Sequence, residues 1–321
     1  MGEFELIRNF FAAAPCAQAG EGVALGIGDD CALLSVPAGE QLAVSTDTLV
    51  AGVHFADPCD PFLLGQRALA VAASDLAAMG AAPVAFTLAL TLPTVAADWL
   101  QAFAQGLNRM AQACGLRLVG GDTTRGPLSL TVTVFGSVPT GQALTRAGAQ
   151  PGDLLCVGGE LGNAAGALPL VLGQRTAVPA IAEPLLAHYW SPAPQFALGL
   201  ALRGKATAAL DISDGLLADC GHIALASRVA LQVERHRLPL SSALLSFLGQ
   251  AAAQDAALSG GDDYVLAFTL PPAQLAPLLA EGWPVQVVGR VVAGAGVTLL
   301  DEDAQDITPL TRGYQHFRET P

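Results

Sequence analysis

The chain has 321 residues, too many for one small core, and its composition (52% hydrophobic, 13% charged) excludes a disordered chain. Against 15 Lys and Arg it sets 28 Asp and Glu, for a formal net charge of −13, a field that repels nucleic acid and anionic membranes. A nucleotide would be repelled as well unless divalent cations or a few well-placed arginines intervene.

Residues 3–14 show helical spacing of Phe, Leu and Ile, and the acidic start MGEFEL lacks the basic segment of a signal peptide. Short strands are expected over 23–27 and 41–45. Residues 61–80 read as a helix, with Pro61 near its first turn and Gly80 past its end. Residues 84–92, between Pro83 and Pro93, alternate as a buried strand does, which argues against a membrane span. Thr94 is predicted to cap a helix that runs to Cys114 and stops at Gly115. Strands follow over 117–119 and 128–138. The segment 139–152, PTGQALTRAGAQPG, reads as a linker between domains 1–138 and 153–321. Beyond it, strands are expected over 153–157, 206–210, 230–234 and 264–269, and helices over 164–172, 182–189, 193–202, 215–227 and 242–253. Hairpin-like strands mixed with crossover helices give an α+β (mixed α/β) class.

Five acidic stretches punctuate this order. Gly28-Asp29-Asp30, Ser45-Thr46-Asp47, Gly120-Gly121-Asp122 and Asp211-Ile212-Ser213-Asp214-Gly215 each follow a short apolar run and read as loops at strand ends; Ser74-Asp75 lies inside a helix. Single aspartates after strands are often turn or cap residues. Here each is paired with Gly or hydroxyl residues, and several carboxylates brought together repel one another unless cations lie between them. Hard oxygen donors suit Mg²⁺, which bridges carboxylates to substrate phosphates, so the residues themselves point to a metal-dependent phosphate enzyme.

The usual phosphate loops do not account for it. Gly199 to Ala206 nearly matches the Walker pattern and contains the chain's one lysine, Lys205, but Ala206 replaces the required Ser or Thr and a helix precedes the loop. It reads as a helix end and a surface turn. GIGDDC lacks the third glycine of a dinucleotide fingerprint. Arg146 reads either as a surface charge or as a phosphate fork, His54 as a packed side chain or a ligand contact, and Ser259 to Tyr264 as a Gly-acid turn or a plain hairpin. Six scattered cysteines without a CxxC pair suit a reduced, cytoplasmic protein.

Taken together, GIGDD, STDTLVAGVHF, SDLAAMGA, GGDTTR, LTRAGAQPGD, DISDGLLAD, SGGDDY and the terminal GYQHF resemble the thiamine-monophosphate kinase family, of the superfamily that includes aminoimidazole ribonucleotide synthetase. The resemblance implies a two-domain synthetase-like fold, a homodimer whose N-terminal strands form a barrel, and ATP-dependent phosphorylation of thiamine monophosphate. By the same resemblance Asp30, Ser45, Thr46, Asp47, Asp75, Asp122, Asp211 and Asp214 match magnesium ligands; Asp30, Gly121, Asp122, Arg146 and Ser213 match ATP contacts; and His54, Asp262 and Tyr314 match substrate contacts. Two positions depart from the family's pattern: Asp262 stands where Glu is usual, and Ala104 where a Tyr is frequent. The alternatives are another ATP-dependent synthetase or ligase of the superfamily, or a non-catalytic nucleotide- or metal-binding relative.

Overall fold

The computed structural model describes residues 3–18, 20–310 and 313–314. The last residues of the GYQHF motif, Gln315 to Phe317, lie outside them. Two compact units emerge. One runs from the start of the chain to Leu76 and adds Ala81–Ala143 and Trp190–Phe196; the other comprises Ala77–Gly80, Leu144–Tyr189 and the chain from Ala197 onward.

The first unit opens with α1 (Glu3–Leu6), which continues as a π-helical turn, Ile7–Ala12. A small antiparallel pair, β1 (Val23–Leu25) and β2 (Leu33–Leu34), follows. The main sheet is built from β3 (Glu40–Val50), β4 (Ala82–Leu92), β5 (Arg117–Arg125) and β6 (Ser129–Pro139) in the order β3-β6-β4-β5. Only β4 and β5 run parallel, joined by the crossover helix α3 (Ala97–Cys114); α2 (Pro61–Ala78) connects β3 to β4. Alternation decides which side each residue faces. Phe86, Leu88, Leu90, Leu130, Val132 and Val134 form the buried face. Thr46 pairs with Thr133 and Thr48 with Thr131 on the other face, each pair through hydroxyls 2.9 Å apart. Within the single chain this sheet is open, with β3 and β5 as its edges.

α3 starts later than Thr94 suggested: its N-cap is Ala96, with no side-chain cap. Gly115 closes it in the left-handed region, φ 72°, as expected. Two helical glycines, Gly65 of α2 and Gly106 of α3, let backbones meet: a Cβ at Gly106 would fall on the Phe62 carbonyl, and one at Gly65 on that of Phe103.

The second unit carries β7 (Leu154–Val157), α4 (Asn163–Val171), α5 (Pro179–Trp190), α6 (Phe196–Leu202), β8 (Ala208–Asp211), α7 (Leu216–Ser227) and β9 (Ala230–Glu234). It continues with α8 (Ser242–Leu248), α9 (Gln250–Ser259), β10 (Leu266–Leu270), α10 (Pro272–Ala280), β11 (Gln286–Val292) and β12 (Gly296–Leu300). Its six strands are ordered β12-β9-β11-β7-β10-β8, with only β12 and β9 parallel. Every residue of β10 is buried, because helices pack on both faces. Ala267 packs with Leu217 and Ile223 of α7 and Ala257 of α9 on one side. Phe268 packs with Leu198 and Leu202 of α6 and Leu278 of α10 on the other.

The single helix expected over 242–253 is two helices, broken at Gly249 with φ 77°. The strand expected from 264 begins at Leu266, since Asp262 and Tyr264 adopt positive φ, 63° and 50°. The SGGDDY segment is therefore a shaped loop between α9 and β10 and not a hairpin. Both units are mixed α/β. Among the described residues no helix is long and apolar enough to cross a membrane.

Candidate active site

In the first unit the acids gather in two places. A cavity of about 630 Å³ is lined by Ile27 to Ala32, by Thr87, Leu88 and Leu118 to Thr123, and by the apolar Ile7 and Phe11. Asp30, Gly121 and Asp122, all expected at ATP, thus share one wall system. Gly121 is required there: its φ is 151°, and a Cβ would strike the Leu88 carbonyl of the neighbouring strand.

The second place lies on the buried face of the sheet. Ser45 Oγ donates to Asp75 Oδ2, tying α2 to β3. Asp47 lies beside the same carboxylate, and burial first, then the charge of Asp75, push its carboxyl up to about 6. Asp47 and Asp122 are not on loops. Asp47 pairs with Val132 in mid-strand, in a row that continues to Leu88 and Gly121; Asp122 pairs with Ala89, in the adjacent row with Thr131 and Thr48. Adjacent rows present side chains to opposite faces, so the sheet separates these two carboxylates. Thr46 likewise faces away from Ser45 and Asp47, its hydroxyl on Thr133. Among the described residues no three His, Cys, Asp or Glu side chains form a ready-made metal centre.

His54 sits in the turn after β3, where its Nδ1 accepts the Val50 N–H at 3.0 Å. The neutral ring therefore holds its proton on Nε2. Ala104 lines a separate cavity of about 180 Å³ with Asn9, Phe10 and Gln105, not the aspartate-lined one.

In the second unit, Asp211 ends β8 and Ser213 and Asp214 form the turn into α7. The Ser213 carbonyl accepts the Asp262 N–H at 2.8 Å, and the Asp214 carbonyl accepts the Tyr314 N–H at 3.0 Å. Residues expected at metal, nucleotide and substrate thus share one backbone network. Tyr264, not singled out from the sequence, donates its hydroxyl to Asp262 Oδ1 at 3.1 Å. Asp263 is buried, accepts the Gly162 N–H on both oxygens, and is pushed well above the usual carboxylate range by that burial. Arg146 is exposed; Ser227 fixes its segment by donating to the Arg146 carbonyl and accepting from the N–H groups of Gly148 and Ala149. Ser227 carried no signal in the sequence, since its partners are about 80 residues away.

Lys205 does not serve a phosphate loop: it follows α6 and pairs with Glu281 at 2.6 Å on the surface. Such pairs contribute at most about 1 kcal/mol. Lys205→Ala is expected to leave the KM for ATP unchanged, as measured by steady-state kinetics; a tenfold rise would restore the phosphate-loop reading.

Comparison with known proteins identifies the family. The family described as "AIR synthase related protein, N-terminal domain" matches residues 28–138, and "AIR synthase related protein, C-terminal domain" matches residues 150–302. The thiamine-monophosphate kinase of Escherichia coli (strain K12) is 43% identical over 321 residues, covering 98% of each chain. The chain belongs to the thiamine-monophosphate kinase family. The crystal structure of the thiamine-monophosphate kinase from Stenotrophomonas maltophilia K279a superposes with a TM-score of 0.86 at 47% identity, over 93% of this chain and 96% of that one. A second structure of a thiamine-monophosphate kinase, "AaThiL complexed with AMPPCP and TMP", matches with a TM-score of 0.80 at 29% identity, over 88% and 89% of the two chains.

Proposed function

We propose that this chain transfers the γ-phosphoryl group of ATP to thiamine monophosphate, giving thiamine diphosphate. The observation that carries this reading is its end-to-end relation to thiamine-monophosphate kinases. The acceptor is a phosphate oxygen with a second pKa of about 6, already anionic at neutral pH, so no general base is needed. The barrier lies in aligning two polyanions, and the protein contributes positioning and charge neutralisation. Asp30, Gly121 and Asp122 line a cavity that Ile7 and Phe11 also line, a mixture of polar and apolar groups suited to a nucleotide. Ser213 and Arg146 contact the nucleotide, and His54, Asp262 and Tyr314 hold the thiamine end.

The donor set fits magnesium. Asp47 and Asp75 repel each other at close quarters with Ser45 alongside, an arrangement that a hard cation relieves. Asp30, Ser45, Asp47, Asp75, Asp122, Asp211 and Asp214 would hold the ions, with Thr46 contributing through its main chain. Bound magnesium supplies positive charge that screens the phosphates from each other and from these acids.

Asp47 gives this a pH signature. Its folded pKa of about 6 exceeds the ordinary 3.8, so the metal-free fold has this group's stabilisation in full below about pH 4 and loses it as pH rises through 6. Magnesium needs the ionised form. Added Mg²⁺ is therefore expected to raise Tm strongly at pH 8 and little at pH 5; an equal rise at both would remove Asp47 from the ligand set.

A homodimer completes the reading, with residues 1–138 as the dimerising, ATP-binding part, 139–152 as linker and 153–321 as the second domain. The open side of the four-stranded sheet exposes Leu42 (42%) and Val44 (55%) on edge strand β3 beside the threonine pairs. A second copy's sheet laid against this side would close the strands of both into one barrel. Val44→Glu is expected to yield monomers by light scattering, where the parent chain is a dimer. The reading includes a cytoplasmic location, which six scattered cysteines without a CxxC pair and the use of ATP support.

The deciding assay is phosphoryl transfer from ATP with Mg²⁺ to thiamine monophosphate, to thiamine, and with no acceptor. Thiamine diphosphate made from the monophosphate alone is the expected result. ATP binding without that product would overturn the assignment.

A further inference from the structure

Loop 212–215 leaves none of its backbone polar groups unmet. The Ile212 N–H donates to the Val265 carbonyl at 2.9 Å, and the Ile212 carbonyl accepts from Tyr264 at 2.8 Å. The Ser213 and Asp214 carbonyls accept from Asp262 and Tyr314, and the Gly215 carbonyl accepts from Asp219 at 3.0 Å. The three remaining groups, the N–H of Ser213, Asp214 and Gly215, all converge on one atom, Oδ2 of Asp219, at 3.0, 3.0 and 3.1 Å. Asp219 lies one turn into α7 and is buried, so water does not replace it. Gly215 leaves no slack on the far side: its φ is 118°, and a Cβ there would come within 2.9 Å of Ser259.

We infer that Asp219 is the positioning residue of this site: by gathering three successive N–H groups, it fixes the curvature of the loop. That curvature sets where the Asp211 and Asp214 carboxylates and the Ser213 hydroxyl point. Through the carbonyls of Ser213 and Asp214 it also sets where Asp262 and Tyr314 stand. One buried carboxylate therefore aligns the nucleotide side and the thiamine side of the unit together. The inference rests on the proposed kinase reading for what the aligned residues do, but not for the alignment itself.

The test compares Asp219→Ala, Asp219→Asn and a control, Ser241→Ala, which removes the N-cap hydroxyl of α8. Steady-state KM for thiamine monophosphate and for ATP, Tm, and amide exchange at residues 213–215 are measured on the whole enzyme. Asp219→Ala is expected to raise both KM values at least tenfold and to speed exchange at the three amides. Asp219→Asn, whose amide oxygen accepts from the same groups, should recover most of the loss. Ser241→Ala should lower Tm and leave both KM values unchanged. Loss of Tm alone in Asp219→Ala, with unaltered KM values and slow exchange, would overturn the inference, as would an Asn variant no better than Ala. If the Ala variant does not fold, Asp219→Glu displaces the carboxylate by one methylene; wild-type KM values in a folded Glu variant overturn it equally. Parent enzyme inactive on thiamine monophosphate would defeat the kinase reading, while the exchange data would still decide the role of Asp219.

Discussion

Asp122→Asn is expected to lower kcat by about 10²-fold or more, the effect typical of removing one preorganised charge contact to a reacting phosphoryl or acyl centre. Asp122 stands at the rim of the cavity, solvent-exposed, on edge strand β5 in register with Ala89. Its side chain has no packing role there, so Tm should move by less than about 0.5 kcal/mol's worth of stability. The amide keeps the shape but loses the charge, which separates electrostatics from sterics. Steady-state kinetics with a parallel melting curve checks both halves. Unchanged turnover would mean that the GGDT strand carries no chemistry; loss of turnover with loss of fold would mean that its role is structural.

Gly106→Ala is expected to cost about 3 kcal/mol, at the upper end of what overpacking usually does. The obstacle is the main-chain carbonyl of Phe62, not a side chain that could rotate aside. Relief requires α2 and α3 to move apart, and Gly65 against Phe103 makes the same contact from the other side. Because α2 also carries Asp75, separation would pull that carboxylate away from Ser45 and Asp47. Chemical denaturation should show the stability loss, and activity measured well below Tm should fall as well. A variant as stable as the parent would show that the helices tolerate a wider spacing.

The turn acids were readable from the sequence because Gly and Asp announce a bend locally. Asp30 follows Gly28 in a turn, and Asp211 and Asp214 flank the entry to α7. Asp47 and Asp122 misled for the same reason: Ser-Thr-Asp-Thr and Gly-Gly-Asp-Thr-Thr look like loops. They are strand interior because partners nearly 90 residues away at β6, and Leu88 and Ala89 in β4, supply the ladder. Hydroxyl pairs such as Thr46 with Thr133 need that register to exist before they can form. Asp219 stood in plain view within DISDGLLAD, yet its task depends on a loop folding back onto the helix that follows it. The positive φ of Asp262 and Tyr264 was half legible: Gly260-Gly261-Asp262 announces a turn and Asp tolerates the left-handed region, but Tyr264 carries no such signal. Most helices came through because their apolar spacing is local.

The surface pair of Lys205 and Glu281 has a practical side. Lys205 is the chain's one lysine, and its ammonium lies 2.6 Å from a carboxylate in the second unit. Amine-directed reagents therefore meet a single side chain besides the α-amino group, and one that takes no part in the proposed chemistry. A fluorophore or surface tether coupled through that side chain would mark the second unit at one defined position.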